Sequence, residues 1–132
     1  MLEREQEEAL REIREDPDYS VQDFVPGRVE YATHVLFRQG RVVCSLNVEY
    51  GFEVDMPIKG RDRPTYTLLG TCPHLELFAA ILATIGFEGL CCFNYKLRDG
   101  RPLLLEINPR FVRSLCGYFF AFMRHLGNER MD

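Results

Sequence analysis

The chain has 132 residues, 46% apolar and 27% charged, with a formal net charge of −4, the profile of one globular domain of ordinary size. The acidic balance argues against nucleic acid as the main partner. No apolar run approaches the roughly 20 residues of a membrane span, and Met1-Leu2-Glu3-Arg4-Glu5 lacks the basic start and apolar run of a signal peptide. Five cysteines, an odd number without C-x-x-C spacing, do not make a secreted disulfide scaffold, so a cytoplasmic location is expected.

Leu2 to Glu15 reads as a charged helix, too polar for the core, that lies on the surface or against a partner and ends at Asp16-Pro17-Asp18. Tyr19 to Val25 reads as a strand broken by Pro26-Gly27. Glu30 to Arg38 alternates as a second strand, with Tyr31, Thr33, Val35 and Phe37 on one face, and Gln39-Gly40 signals a hairpin into a third strand, Arg41 to Tyr50. Gly51 to Gly70 is polar and irregular, a length of loop that is often functional. Cys72-Pro73 opens an apolar helix running to about Ile85, expected to be buried and stopped by Gly86. Leu90 to Leu97 and Pro102 to Ile107 are strands joined by Asp99-Gly100, and Leu115 to Leu126 is a last helix. Adjacent Cys91 and Cys92 point to opposite faces of their strand and are small core residues rather than joint metal ligands. The expected fold is α+β, a mostly antiparallel sheet with flanking helices.

Leu103-Leu104-Leu105-Glu106-Ile107-Asn108-Pro109-Arg110 carries the chemistry. Residues i and i+2 of a strand share a face, so Glu106 and Asn108 offer neighbouring oxygens suited to a hard divalent cation. Pro109 ends the strand for want of an N–H, and Arg110 presents a fixed charge just beyond it, suited to a phosphate.

The run Glu106-Ile107-Asn108-Pro109-Arg110, followed by Phe111-Val112-Arg113-Ser114, closely resembles the metal-binding end of ATP-grasp enzymes, nearest to proteins related to the carbamoyl-phosphate synthase large subunit. Val21-Gln22-Asp23-Phe24-Val25-Pro26-Gly27 resembles the hinge strand whose backbone meets adenine, and Gly86-Phe87-Glu88-Gly89-Leu90 leads into the strand before the terminal hairpin. The resemblance covers nearly the whole chain, as one partial ATP-grasp domain over 1–132 whose first half, with its glycine-rich phosphate loop and lysines, is absent. It implies a carboxylate–amine or carbamoyl-phosphate synthase-like ligase, working through an acyl phosphate with ATP and Mg²⁺ or Mn²⁺. Glu106 and Asn108 would hold the metal. Asn94 stands where the family places an acidic ligand, so metal affinity should be lower. Arg110 would be catalytic, contacting phosphate or acyl phosphate. Gln22, Asp23, Phe24 and Val25 would contact adenine through their backbone, Glu30 the ribose, and Lys59, with Arg61 and Arg63, would close over the phosphates; a solvated basic loop is the plain alternative for these three. The implied partners are a small carboxylate, the missing N-terminal half or a partner chain, and a further copy of the chain through exposed apolar surface. The competing reading is a non-catalytic ATP-grasp-derived binding or assembly module. His34, His74 and His125 have no metal-ligand spacing; His34, on the polar side of its strand, is the one placed to face a cleft.

The hairpin makes a geometric demand. A strict two-residue turn at Asp99-Gly100 would pair residues 98 and 101 and set Asn94 against Leu105. A three-residue loop would shift the parity and bring Asn94, Glu106 and Asn108 onto one face. The longer loop is expected here.

Overall fold

The structure is a computed structural model that describes residues 3–18, 22–58 and 60–124. It is an α+β arrangement: a five-stranded, wholly antiparallel sheet with helices. In chain order the elements are α1 (Arg4–Glu15), β1 (Val29–Arg38), β2 (Arg41–Gly51), β3 (Tyr66–Gly70), α2 (Leu75–Thr84), β4 (Gly89–Arg98) and β5 (Arg101–Asn108). A 3₁₀ helix, Arg113–Tyr118, then runs on as α-helix through 119–124. The strand order is β3-β2-β1-β4-β5, which puts β1 at the centre.

Both hairpins turn on two residues. Gln39 and Asp99 have φ of 52° and 53°, and Gly40 and Gly100 both have φ of 75°, the left-handed pair of a type I′ turn. Arg98 therefore faces Arg101, and the three-residue loop expected at Asp99-Gly100 is not what forms. The parity shift comes instead from a β-bulge inside β5. Tyr95 pairs with Leu104 but Asn94 pairs with Glu106, leaving Leu105 as the extra residue. The first hairpin carries the same device, with Leu36 paired to Cys44 and Phe37 to Val42.

The two faces of the sheet are covered differently. On one face, Val35, Phe37, Cys91, Phe93 and Tyr95 pack against Phe78 and Leu82 of α2; Phe78 and Phe93 stack with ring centres 4.2 Å apart. The same face holds a buried polar knot at its β2 side. Thr33 donates to Asn47 Oδ1 at 2.7 Å and Tyr95 donates to the same oxygen at 3.1 Å. On the other face, Leu115 and Phe122 pack over Leu36 with Val43, Leu46 and Leu90, covering one end of the sheet. The other end of that face bears Ala32, Cys92 and Val48 and is where the clefts lie. Cys91 and Cys92 do point to opposite faces, and all five cysteines are free thiols.

Three expectations are corrected. Residues 22–27 form no strand; Pro26 lacks a donor and Gly27 takes φ of 140°, so the segment runs as an irregular strap (Tyr19 to Val21 lie outside the described residues). The stretch expected to be irregular throughout ends in β3, where Thr67 and its neighbours pair with β2. Gly51 permits this close edge: a Cβ there would fall inside the Tyr66 ring. Finally α2 is buried only along Phe78 and Leu82, while Leu77 and Ile85 remain 47% and 65% exposed, because a single sheet covers one side of a helix that is apolar all round. The charged α1 has no buried residue. No helix among the described residues is long and apolar enough to cross a membrane.

Candidate functional site

Two clefts open on the sheet face opposite α2, and they share Asn94 and Glu106. The first, about 420 Å³, lies under the strap. Gln22, Asp23, Phe24, Val25 and Glu30 line it with Pro57, Ile58, Lys96 and Leu105. The second, about 620 Å³, runs towards the end of β5 and is lined by Asn108, Arg110, Arg113, Ser114, Tyr50 and Ala32 among others. Gln22, Asp23, Phe24, Val25, Glu30, Asn94, Glu106, Asn108 and Arg110 therefore all line one or other of two clefts that meet at Asn94 and Glu106. Lys59 lies outside the described residues. Arg61 and Arg63 are exposed and line neither cleft; the Arg61 N–H is instead tied to the Ile58 carbonyl at 3.0 Å.

At the junction Asn94 is buried, 4% exposed, while Glu106 is exposed. The Asn94 amide donates from Nδ2 to Glu106 Oε1 at 3.4 Å. Asn108 pairs with Cys92, which sets it on the same face one step further along. Glu106 and Asn108 thus face the same way and are open to the groove. The set supplies one carboxylate and two amide oxygens, once the Asn94 amide turns its oxygen forward. Such donors fit an oxygen-preferring Mg²⁺ or Mn²⁺ whose other positions are filled by phosphate oxygens and water. With one negative charge they do not form a self-sufficient metal cage, and no cluster of three His, Cys, Asp or Glu side chains exists among the described residues.

Protein-family models, curated proteins and solved structures were each compared with the chain, and none matched.

Charge is graded along the groove. Asp23, Glu30 and Lys96 lie at the strap end, Glu106 in the middle, and the guanidinium groups of Arg110 and Arg113 at the far end. Arg110 donates from Nη1 to the Phe111 carbonyl at 3.1 Å and is otherwise exposed, so its side chain is placed to meet an anion entering the larger cleft.

Three residues that sequence reasoning passed over belong to the groove. Lys96 is 3% exposed; its ammonium donates to the Val25 carbonyl at 2.7 Å and lies 5.2 Å from the centre of the Phe24 ring. Burial lowers its pKa, and Glu30 opposes the fall. The signal was available, since a lysine two residues after Asn94 shares its face. Ser114 and Tyr50 line the larger cleft. Ser114 Oγ sits 2.9 Å from His34 Nε2 beneath it, and burial pushes that imidazole down to about 4. His34 is thus a neutral, buried support of the Ser114 hydroxyl and does not itself line either cleft. Ser114 lies in the short 3₁₀ helix, outside any strand alternation, so of this pair the sequence marked only His34.

Proposed function

We propose that this chain is the nucleotide- and metal-binding part of an ATP-grasp ligase, one that joins a carboxylate to an amine, or works in the manner of carbamoyl-phosphate synthase, through an acyl phosphate. The observation that carries the reading is that Asn94 and Glu106 line both clefts. A base bound against the strap and an anionic acceptor beside Arg110 would then meet at one carboxylate–amide pair. In this reading the Gln22–Val25 backbone and Glu30 hold the adenosine. Glu106, Asn108 and Asn94 hold Mg²⁺, which supplies neutralisation of phosphate charge. Arg110 orients the transferring phosphoryl or acyl phosphate by paired N–H donors, with Arg113 and Ser114 forming the adjoining wall. The residues act by positioning and by charge, which is most of what phosphoryl transfer asks of a protein.

The glycine-rich lobe that would cover the triphosphate belongs, in this proposal, to a partner chain or to a longer polypeptide, so the 132 residues alone bind weakly and turn nothing over. Free cysteines throughout favour a cytoplasmic setting. Asn94 in place of an acid favours a second reading, a binding or assembly module that keeps the fold without catalysis. Calorimetry with Mg²⁺ and ATP separates the two. The ligase reading expects weak binding here and clear binding when the chain is extended at its N-terminus; the module reading expects none in either.

A further inference from the structure

The strap over the smaller cleft has no strand partner, yet it is held at two points. The Gly27 N–H donates to the Asp55 carbonyl at 2.7 Å, and the Lys96 ammonium reaches up from β4 to the Val25 carbonyl at 2.7 Å. The second tie is unusual in chemistry. An ammonium is costly to bury, and an apolar residue at this strand position would pack at no such cost. Lys96 is nonetheless nearly sealed from solvent, and its head lies against the Phe24 ring. Among the described residues Val25 is its hydrogen-bond acceptor. An ammonium has three N–H groups, so donor capacity is left at a head that lines the cleft with Glu30 and Asn94.

We propose that Lys96 is the positioning residue of the base-binding end of the groove: its ammonium fixes the Phe24–Val25 backbone over the cleft and sets Phe24 as a wall against which a planar base stacks. This rests on the nucleotide reading given above. It deepens that reading by assigning recognition of the base to a strand side chain as well as to the strap. Lys96 lies two residues along β4 from Asn94 on the same face, so one strand would align the base end with the metal end. A ligand without a base gains nothing from Lys96.

The test compares wild type, Lys96→Met and Lys96→Arg, all checked for a native amide spectrum. Amide hydrogen exchange at Gly27, the strap amide bonded to the Asp55 carbonyl, is read without ligand; chemical-shift titrations then follow ATP with Mg²⁺ and, separately, inorganic triphosphate with Mg²⁺. We expect Lys96→Met to raise exchange at the Gly27 amide and to weaken ATP by about tenfold, as loss of one charge-assisted hydrogen bond would, while leaving triphosphate unchanged. Lys96→Arg, which keeps a donor and a cation over Phe24, recovers most of both effects. Equal weakening of ATP and triphosphate, or ATP affinity and exchange unchanged in Lys96→Met, overturns the role of Lys96 alone. Absence of ATP binding by the wild type, with its exchange pattern intact, overturns the nucleotide reading and the ligand role with it.

Discussion

Asn94 faces Glu106 across β4 and β5 because Leu105 is looped out between them and Leu104. The tight Asp99-Gly100 turn alone would have put Asn94 opposite Leu105. The bulge thus does for the site what a longer turn would have done, and it also turns Leu105 into the wall of the smaller cleft. Removing Leu105 should leave a regular ladder in which Asn94 still faces Glu106 and Arg98 still faces Arg101. We expect a cost of about 1 kcal/mol from the half-buried side chain, and nuclear Overhauser contacts between residues 94 and 106 that persist. Contacts moving to residue 95 would contradict this register.

Asn94→Asp sets two carboxylates directly opposite one another. Without metal, like charges in that relation destabilise by about 0.2–1 kcal/mol, and the burial of residue 94 adds to the penalty. With Mn²⁺ the added charge should raise affinity by about tenfold or more, since cation sites are tuned by ligand charge. Thermal unfolding with and without Mn²⁺ measures both. An unchanged Mn²⁺ effect would mean that residue 94 does not face the cation.

His34 makes stability depend on pH. Its folded pKa is lowered by burial to about 4 from the ordinary 6.5, so the unfolded chain binds the proton more readily. The contribution of neutral His34 is full above the unfolded value, falls as pH drops through 6.5, and is lost by about pH 4. At about 1.36 kcal/mol per unit the total is on the order of 3 kcal/mol. Urea unfolding at a series of pH values should show this loss in the wild type and a shallower slope in His34→Gln, which keeps a polar partner for Ser114. Parallel slopes would contradict it.

Phe78 anchors α2. It is fully buried and stacks on Phe93 while its ring edge meets Tyr95 at 5.2 Å. Phe78→Ala should cost about 3–5 kcal/mol, read by urea unfolding. Leu77→Ala, on the exposed side of the same helix, should cost less than about 1 kcal/mol.

Much of the sheet was legible in the sequence because strand alternation is a direct record of which face is buried. Tyr31, Thr33, Val35 and Phe37 share a face as the pattern indicated, and Glu106 and Asn108 share the other. What the alternation cannot encode is an interruption of itself. Leu105 sits in an unbroken run of leucines, so nothing distinguished the bulged residue from its paired neighbours. The strap failed for a related reason: Phe24 and Val25 have strand-like side chains, but Pro26 and Gly27 remove the donor and the φ that a ladder needs. β3 was missed because its five residues are exposed on both faces, leaving no buried stripe to read. The smaller cleft is lined jointly by residues 22–25, Pro57, Ile58, Asn94, Lys96, Leu105 and Glu106, a closeness created only by folding.

In the proposed function Asn94, Glu106 and Asn108 together grip a divalent metal–nucleotide. Titration of ¹⁵N-labelled protein with millimolar Mn²⁺ and ATP reads this out at the residues themselves, because the paramagnetic ion broadens signals only from nearby groups. Broadening is expected to centre on residues 94, 106 and 108, with shifts at 22–25, and both should be lost in Glu106→Gln. Broadening elsewhere, or none at these three positions, would contradict it.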